Sequence, residues 1–115
     1  MKILAVDDQN EFLEVLEMVL TAQGHTVDTA FDGQKGWELA QKYTYDLAFF
    51  DHAMPELTGI ELVKRIRANK IPMKIVMMSG YENMNEQFAR TVGADEYLCK
   101  PFQVREIEEI IARYS

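Results

Sequence analysis

The sequence "ILAVDDQN" at residues 3–10 decides the fold of this chain. It opens with a short run of apolar residues and ends in two adjacent carboxylates, Asp7 and Asp8. A strand that is apolar on both faces is typical of a parallel sheet, because such sheets are covered by helices on both sides. A helix is predicted next, since apolar residues recur at helical spacing over residues 10–23 and Gly24 follows as a stop signal.

The same order of strand and helix repeats along the chain. Each later apolar run is short, and an amphipathic segment follows it. Strands are predicted at residues 25–30, 45–51, 73–80 and 95–99, and helices at 33–43, 58–68, 83–92 and from 104 onward. This alternation predicts an α/β fold, with a doubly wound five-stranded parallel sheet, five flanking helices and right-handed crossovers.

Length and composition favour a single globular domain. The chain has 115 residues, of which 48% are hydrophobic and 27% are charged, a balance typical of a folded domain rather than a disordered segment. The sequence contains no Pro/Ser-rich linker and no internal repeat. We therefore expect one domain that spans residues 1–115.

Charge and cysteine content narrow the functional classes. The net charge of −7 disfavours direct binding to nucleic acid or to an anionic membrane, because both depend on clustered Lys and Arg. No apolar run approaches the roughly 20 residues of a membrane span, and a cytoplasmic location is expected. The single cysteine, Cys99, cannot form an internal disulfide and is interpreted as a small buried hydrophobe.

Polar residues follow four of the predicted strands at their carboxyl ends. They are Asp7 and Asp8 after the first strand, Asp51 after the third, Ser79 after the fourth and Lys100 after the fifth. Ligands of open α/β sheets bind beyond these ends, so we expect the five side chains to form one site. Taken alone, Asp8 would be interpreted as a helix N-cap, Ser79 as a turn residue and Lys100 as a solvated cation. Their joint occurrence at the ends of four strands favours a shared binding site over these separate interpretations.

The residue types of this site indicate phosphoryl chemistry. Three carboxylates within a few ångströms repel one another, and without compensation at least one would take up a proton. A hard cation such as Mg²⁺ removes the conflict, since it prefers oxygen ligands and uses one or two carboxylates together with a phosphate oxygen. Asp51 could then act as a nucleophile towards phosphorus, while Lys100 and Ser79 stabilise the phosphoryl oxygens.

Four motifs carry a family resemblance over nearly the whole chain. They are "VDDQ", "FFDHAMPELTG", "MMSGY" and "EYLCKPF", in this order. Through them the chain resembles the receiver domain of two-component response regulators, and is similar to the single-domain chemotaxis (CheY-like) type. The resemblance implies a flavodoxin-like fold with sheet order 2-1-3-4-5. It also implies a phosphorelay function, in which an aspartate takes a phosphoryl group from a histidine kinase with Mg²⁺ as cofactor.

The resemblance implies roles for the individual site residues. Asp51 would be the phosphoacceptor, and Asp8 and Asp51 would bind Mg²⁺ directly, with Asp7 acting chiefly through water. The backbone carbonyl of Ala53 would supply a further metal ligand. Lys100 would bind the phosphoryl group.

The resemblance also implies a conformational switch. Ser79 would move to bond the phosphoryl group, and Tyr97 would rotate into the space that Ser79 leaves. The bond between Lys100 and Pro101 would be cis, as is usual in this family. The face formed by the fourth helix, fifth strand and fifth helix would change and be read by partners.

The expected partners follow from the same resemblance. They are a sensor histidine kinase or phosphotransfer protein upstream, and a separate target or a fused output domain downstream. The chain itself would be a monomer or a weak phosphorylation-dependent dimer. It would bind neither nucleic acid nor membrane directly.

The loop after Asp51 and the segment after Ser79 carry further predictions. Pro55 and Gly59 match the family's loop, where a fixed φ and a position without Cβ shape the turn. Ala53 offers no polar side chain to orient water, and Tyr81 places a large ring near the mouth of the pocket. A comparatively slow loss of the phosphoryl group is therefore predicted.

Two alternatives stay open at this point. A haloacid-dehalogenase-like hydrolase also uses an Asp nucleophile on a similar sheet, but it places that residue after the first strand in an Asp-x-Asp motif. Here the acidic pair is contiguous, and Asp51 is followed by His52 and Ala53. The chain could also be the receiver segment of a larger protein. We expect self-modification rather than the turnover of an enzyme.

Overall fold

A computed structural model describes residues 1–54, 56–80 and 85–115. In these residues five strands alternate with five helices. The strands are β1 (Lys2–Val6), β2 (Thr26–Ala30), β3 (Leu47–Asp51), β4 (Lys74–Ser79) and β5 (Glu96–Cys99). The helices are α1 (Asn10–Ala22), α2 (Gly33–Lys42), α3 (Gly59–Ala68), α4 (Glu86–Val92) and α5 (Val104–Tyr114).

The strands form one parallel sheet in the order β2-β1-β3-β4-β5, which confirms the predicted fold. Strand β3 is buried at every residue, as its continuous apolar sequence indicates. The strand order reverses between β1 and β3, whose carboxyl ends therefore lie at the switch point where ligands of such sheets bind. Asp51 ends β3, and Asp7 and Asp8 directly follow β1.

Helices cover the sheet on both faces. One apolar cluster joins the sheet to α1 and α5, and a second joins it to α2, α3 and α4. Because successive residues of a strand point to opposite faces, Phe49 belongs to the first cluster and its neighbour Phe50 to the second. These two cores hold the strand ends in fixed relative positions.

The edge of the sheet opposite the carboxyl ends carries an arginine clamp, made by Arg67 of α3. Its Nε donates to the carbonyl of Gly93 at 2.9 Å, its Nη1 to the carbonyl of Met73 at 2.8 Å, and its Nη2 to Asp95 at 2.9 Å. Asp95 also accepts from the backbone N–H of Ile75 at 2.9 Å. The clamp joins the end of α3 to the start of β4 and to the residue that ends α4.

Most predicted element boundaries agree with the structure to within two residues, and the exceptions have local reasons. Thr58, predicted as helical, is the N-cap of α3, and its side chain accepts from the backbone N–H of Glu61 at 3.2 Å. The start predicted for the fourth helix, Asn83, lies outside the described residues, and α4 begins at Glu86. Asn85 caps it through a side-chain bond to the N–H of Phe88 at 2.8 Å.

The interpretation of Cys99 as a buried hydrophobe is wrong. Cys99 is exposed, because it is the last residue of β5, which lies at the edge of the sheet. Its side chain shares a face of the strand with that of Tyr97, since residues two apart point the same way. No helix in the described part of the chain combines the length and the apolar character that crossing a membrane requires.

Candidate functional site

Three carboxylates meet at the switch point of the sheet. Carboxylate oxygens of Asp7, Asp8 and Asp51 all lie within 4.8 Å of one another. Asp7 is completely buried and Asp51 is 6% exposed, whereas Asp8 is exposed. The convergence predicted from the strand ends is therefore present for these three carboxylates, which differ in their access to solvent.

Lys100 lies between two of these carboxylates. Its Nζ is 2.7 Å from Oδ2 of Asp7 and 3.0 Å from Oδ1 of Asp51, and its side chain is only 9% exposed. The other oxygen of Asp7 accepts the backbone N–H of Gln9 at 2.9 Å. A single ammonium thus neutralises part of the negative charge of two buried groups from different strands.

The environment of Asp51 makes this carboxyl group harder to ionise than a solvent-exposed one. Burial raises the pKa of this carboxyl group to about 6, and the charges of Asp7 and Asp8 act in the same direction. The hydrogen bond and the charge of Lys100 oppose this rise in the pKa. The ammonium of Lys100 thus compensates only in part for desolvation and for the two neighbouring anions.

A pocket of about 470 Å³ opens over the acidic cluster. It is lined by Asp8, Gln9, Phe12, Asp51, Ala53, Gly80, Lys100 and Pro101. The peptide bond between Lys100 and Pro101 is cis, as the family resemblance implies. Ala53, whose carbonyl was expected to serve as a ligand, is half-buried and lies in this lining.

Backbone bonds position the segment that follows Asp51. The N–H of His52 donates to the carbonyl of Met78 at 2.8 Å, and the N–H of Gly59 donates to the carbonyl of His52 at 3.1 Å. A Cβ at position 59 would collide with the carbonyl of Asp51, so only glycine permits this close approach. The predicted turn residue Pro55 lies outside the described residues.

Ser79 and Tyr97 are in contact at the ends of the last two strands. Ser79 is buried, and its carbonyl accepts both the backbone N–H of Lys100 at 2.9 Å and the hydroxyl of Tyr97 at 3.3 Å. Burial raises the pKa of Tyr97, which keeps its hydroxyl a donor. Tyr81, on which the predicted slow loss of phosphate rests, lies outside the described residues.

The sequence did not reveal two contacts of Lys100. Its Nζ donates to Oε1 of Gln9 at 3.0 Å and lies 4.4 Å from the centre of the Phe12 ring. Gln9 is also the N-cap of α1, so Asp8 does not take the alternative role of helix cap. No local pattern announces these contacts, because they join residues about 90 positions apart in sequence.

The donor set fits a hard divalent cation. All three side chains of the cluster offer carboxylate oxygens, the ligands that Mg²⁺ and Ca²⁺ prefer. A bound cation would also offset the burial and the neighbouring negative charges that together raise the pKa of Asp51. The cluster is therefore a candidate metal site.

Comparisons with known proteins point to one family. Residues 3–112 match the family model described as the response regulator receiver domain. The response regulator ArlR of Staphylococcus aureus is 34% identical over 112 residues, which cover 97% of this chain and 50% of ArlR. The chain spans about half the length of the curated relatives it matches.

Solved structures agree closely with this fold. The chemotaxis response regulator CheY4 of Vibrio cholerae is 32% identical, with a TM-score of 0.90 over 99% of this chain and 98% of that chain. The response regulator TrrA of Thermotoga maritima, solved in complex with Mg²⁺-BeF, is 31% identical. Its TM-score is 0.89, again over 99% of this chain and 98% of that chain.

Proposed function

This chain belongs to the response regulator receiver domain family, and we propose that it accepts a phosphoryl group on Asp51 from the phosphohistidine of a sensor kinase or phosphotransfer protein. The observation that carries the proposal is the position of Asp51. This buried carboxylate ends the central strand, contacts Lys100 at 3.0 Å and lies beside two further carboxylates. Such an arrangement combines a nucleophile with a cation for the phosphoryl oxygens.

The transfer conserves atoms and charge in a single displacement. An oxygen of the Asp51 carboxylate forms a bond to phosphorus while the bond between phosphorus and the histidine nitrogen breaks. The imidazole leaves with the electron pair and takes up a proton. Lys100 is placed to bind a phosphoryl oxygen, because its ammonium already lies against the attacking carboxylate.

We assign the cation to Mg²⁺, with Asp7, Asp8, Asp51 and the carbonyl of Ala53 as the residues that would hold it. When bound, the ion supplies positive charge that lowers the cost of bringing a phosphoryl group to three carboxylates. The complex of TrrA with Mg²⁺-BeF supports this assignment, since that receiver has the same fold. The positive charge of the ion would also lower the pKa of Asp51 and so favour its ionised, nucleophilic form.

The output of this modification is a changed surface. Ser79 would bond the new phosphoryl oxygen, and Tyr97 would rotate, which alters the face of α4, β5 and α5. Glu96 links the three elements of this face. Its carboxylate, on β5, accepts a hydrogen bond from Arg113 of α5 at 2.7 Å and lies 3.6 Å from the guanidinium of Arg90 of α4. A separate target or a linked output domain would read the face, and the chain would turn over no external product.

Intact-mass measurement tests the proposal directly. The protein is incubated with acetyl phosphate in Mg²⁺, and a single phosphoryl adduct is expected. Asp51→Asn should abolish the adduct, whereas Asp46→Asn, at the opposite edge of the sheet, should retain it. An adduct that persists in Asp51→Asn would refute the assignment. Rapid multiple-turnover hydrolysis of many phosphate monoesters would favour a hydrolase instead.

A further inference from the structure

The ammonium of Lys100 has two kinds of partner. Asp7 and Asp51 are charged, and both belong to the site where a cation and a phosphoryl group would bind. Gln9 and Phe12 are uncharged, and both belong to the beginning of α1. During phosphorylation the two carboxylates would also interact with the cation and the phosphoryl group, whereas Gln9 and Phe12 could keep their contacts with Lys100.

We propose that Gln9 and Phe12 are positioning residues that keep the ammonium of Lys100 in the site once a divalent cation engages Asp7 and Asp51. This inference rests on the proposed function of the site and adds the means by which its lysine is kept in place. Both residues would act through Lys100.

Electrostatics explains why Lys100 would need uncharged partners. A divalent cation among the carboxylates cancels most of their attraction for Lys100 and repels its ammonium at short range. A lysine without another partner would extend its flexible stem into water. The amide dipole of Gln9 and the ring face of Phe12 attract an ammonium without carrying net charge, so the cation does not neutralise them.

The contacts of Gln9 indicate that its side chain serves Lys100 rather than the helix. Gln9 occupies the N-cap of α1, yet its side chain makes no capping bond, and glutamine is not a favoured capping residue. Its backbone N–H is engaged separately by Asp7. Replacing the amide should therefore leave α1 and the conformation of Asp7 in place.

The aromatic ring of Phe12 has one further described ring contact. Its centre lies 5.8 Å from that of Phe102, and the two ring planes are inclined by 54°. Leucine at position 12 would keep an apolar contact with Phe102 and would remove the ring face that Lys100 uses. The variant Phe12→Leu therefore separates cation binding from packing.

The neutrality of position 9 is itself testable. Glutamate has nearly the shape of glutamine, but its charge would hold the ammonium more strongly and compete with the phosphoryl oxygens. We expect Gln9→Glu to retain Lys100 in the pocket and still to slow phosphorylation. Gln9→Leu should slow it for the opposite reason, because Lys100 then has only the ring of Phe12 as a neutral partner and is held less firmly.

The test is an NMR measurement of the ¹⁵N-labelled lysine ammonium groups at low temperature, with the Lys100 signal assigned by its loss in Lys100→Arg. A hydrogen-bonded ammonium exchanges its protons slowly and gives a signal. In wild type, the signal should persist when Mg²⁺ is added. In the double variant Gln9→Leu, Phe12→Leu, it should persist without Mg²⁺, where Asp7 and Asp51 hold Lys100, and disappear with Mg²⁺.

Matched controls are Gln34→Leu and Phe31→Leu, which alter exposed side chains of the same types. They should behave as wild type. The spectrum without Mg²⁺ reports whether the double variant is folded. A signal that survives Mg²⁺ in the double variant, or one that is lost in wild type, would overturn the inference.

The rate of phosphorylation gives a second measurement. With acetyl phosphate and saturating Mg²⁺, the double variant should react about tenfold more slowly than wild type, since the lost hydrogen bond involves a charged donor. An equal rate would count against the inference alone. If wild type forms no adduct at Asp51, the proposed function fails, while the NMR measurement still decides whether Gln9 and Phe12 hold Lys100.

Discussion

Tyr97 donates its hydroxyl hydrogen bond to the backbone carbonyl of Ser79 across 3.3 Å. The same carbonyl accepts the backbone N–H of Lys100 at 2.9 Å. The strand end that carries the proposed phosphoryl-binding hydroxyl is therefore in direct contact with the aromatic residue of the proposed switch. Any displacement of Ser79 towards Asp51 would change the environment of Tyr97.

Ser79→Ala should separate modification from response. The variant should still form the adduct at Asp51, because the nucleophile and Lys100 remain, but the ring of Tyr97 should no longer change its environment. The measurement is ¹⁹F NMR of fluorotyrosine-labelled protein before and after phosphorylation, with Tyr97→Phe for assignment. Thr91→Ala, which removes an exposed hydroxyl on α4, is the control. A full Tyr97 response in Ser79→Ala would contradict the switch.

The affinity for Mg²⁺ should depend on the protonation of Asp51. Without metal, the pKa of this group is raised to about 6. Below that pH a proton must therefore be displaced before the cation binds. The affinity should therefore fall by up to about tenfold per pH unit below 6 and level off above it. Isothermal titration at several pH values measures this dependence. Asp51→Asn should remove the step near pH 6, and a constant affinity in wild type between pH 5 and pH 7 would refute it.

Lys100→Met should destabilise the metal-free protein at neutral pH. The substitution leaves the buried carboxylates of Asp7 and Asp51 without their shared cation, at a cost of about 1–3 kcal/mol, limited by the ability of Asp51 to take up a proton. Mg²⁺ should restore much of the loss by supplying positive charge. Urea unfolding with EDTA and with Mg²⁺ measures both effects.

The control for this comparison is Lys64→Met, which changes an exposed lysine of α3. It should alter the unfolding free energy by less than about 0.5 kcal/mol and show no added response to Mg²⁺. If Lys100→Met is as stable as wild type in EDTA, the ammonium does not compensate the carboxylates as described.

Arg67→Lys should be destabilising although it conserves charge. The guanidinium makes three hydrogen bonds in divergent directions, to Gly93, Met73 and Asp95, and an ammonium cannot reproduce this planar geometry. We expect a loss of about 2–3 kcal/mol in urea unfolding. Arg105→Lys, at a side chain that is 77% exposed, should change little. Stability of Arg67→Lys equal to that of wild type would show that the clamp contributes only charge.

The fold and the central site were predictable because they depend on patterns that the sequence displays directly. Apolar runs at residues 3–6 and 47–50 indicate buried parallel strands, and the ends of such strands meet at one edge. That rule alone brings Asp7, Asp51 and Lys100 together. The site follows from the topology of the sheet, so a correct prediction of the fold also predicted the site.

The remaining contacts depend on packing between distant segments. The contacts of Gln9 and Phe12 with Lys100 join the start of α1 to the residue that follows β5, and no local pattern in the sequence predicts them. The same holds for Arg67, which resembles any surface arginine in the sequence. The exposure of Cys99 was mispredicted because an edge strand and a central strand share one apolar pattern.

The arginine clamp has a mechanical consequence for α4. Gly93, which ends this helix, is tied to Arg67 and sits over α3 so closely that a Cβ would press on the arginine stem. The seven-residue helix is about 10 Å long, and the contact with Arg67 fixes the position of its last turn. A small tilt of α4 would therefore move its first residue, Glu86, the most and leave Gly93 almost in place.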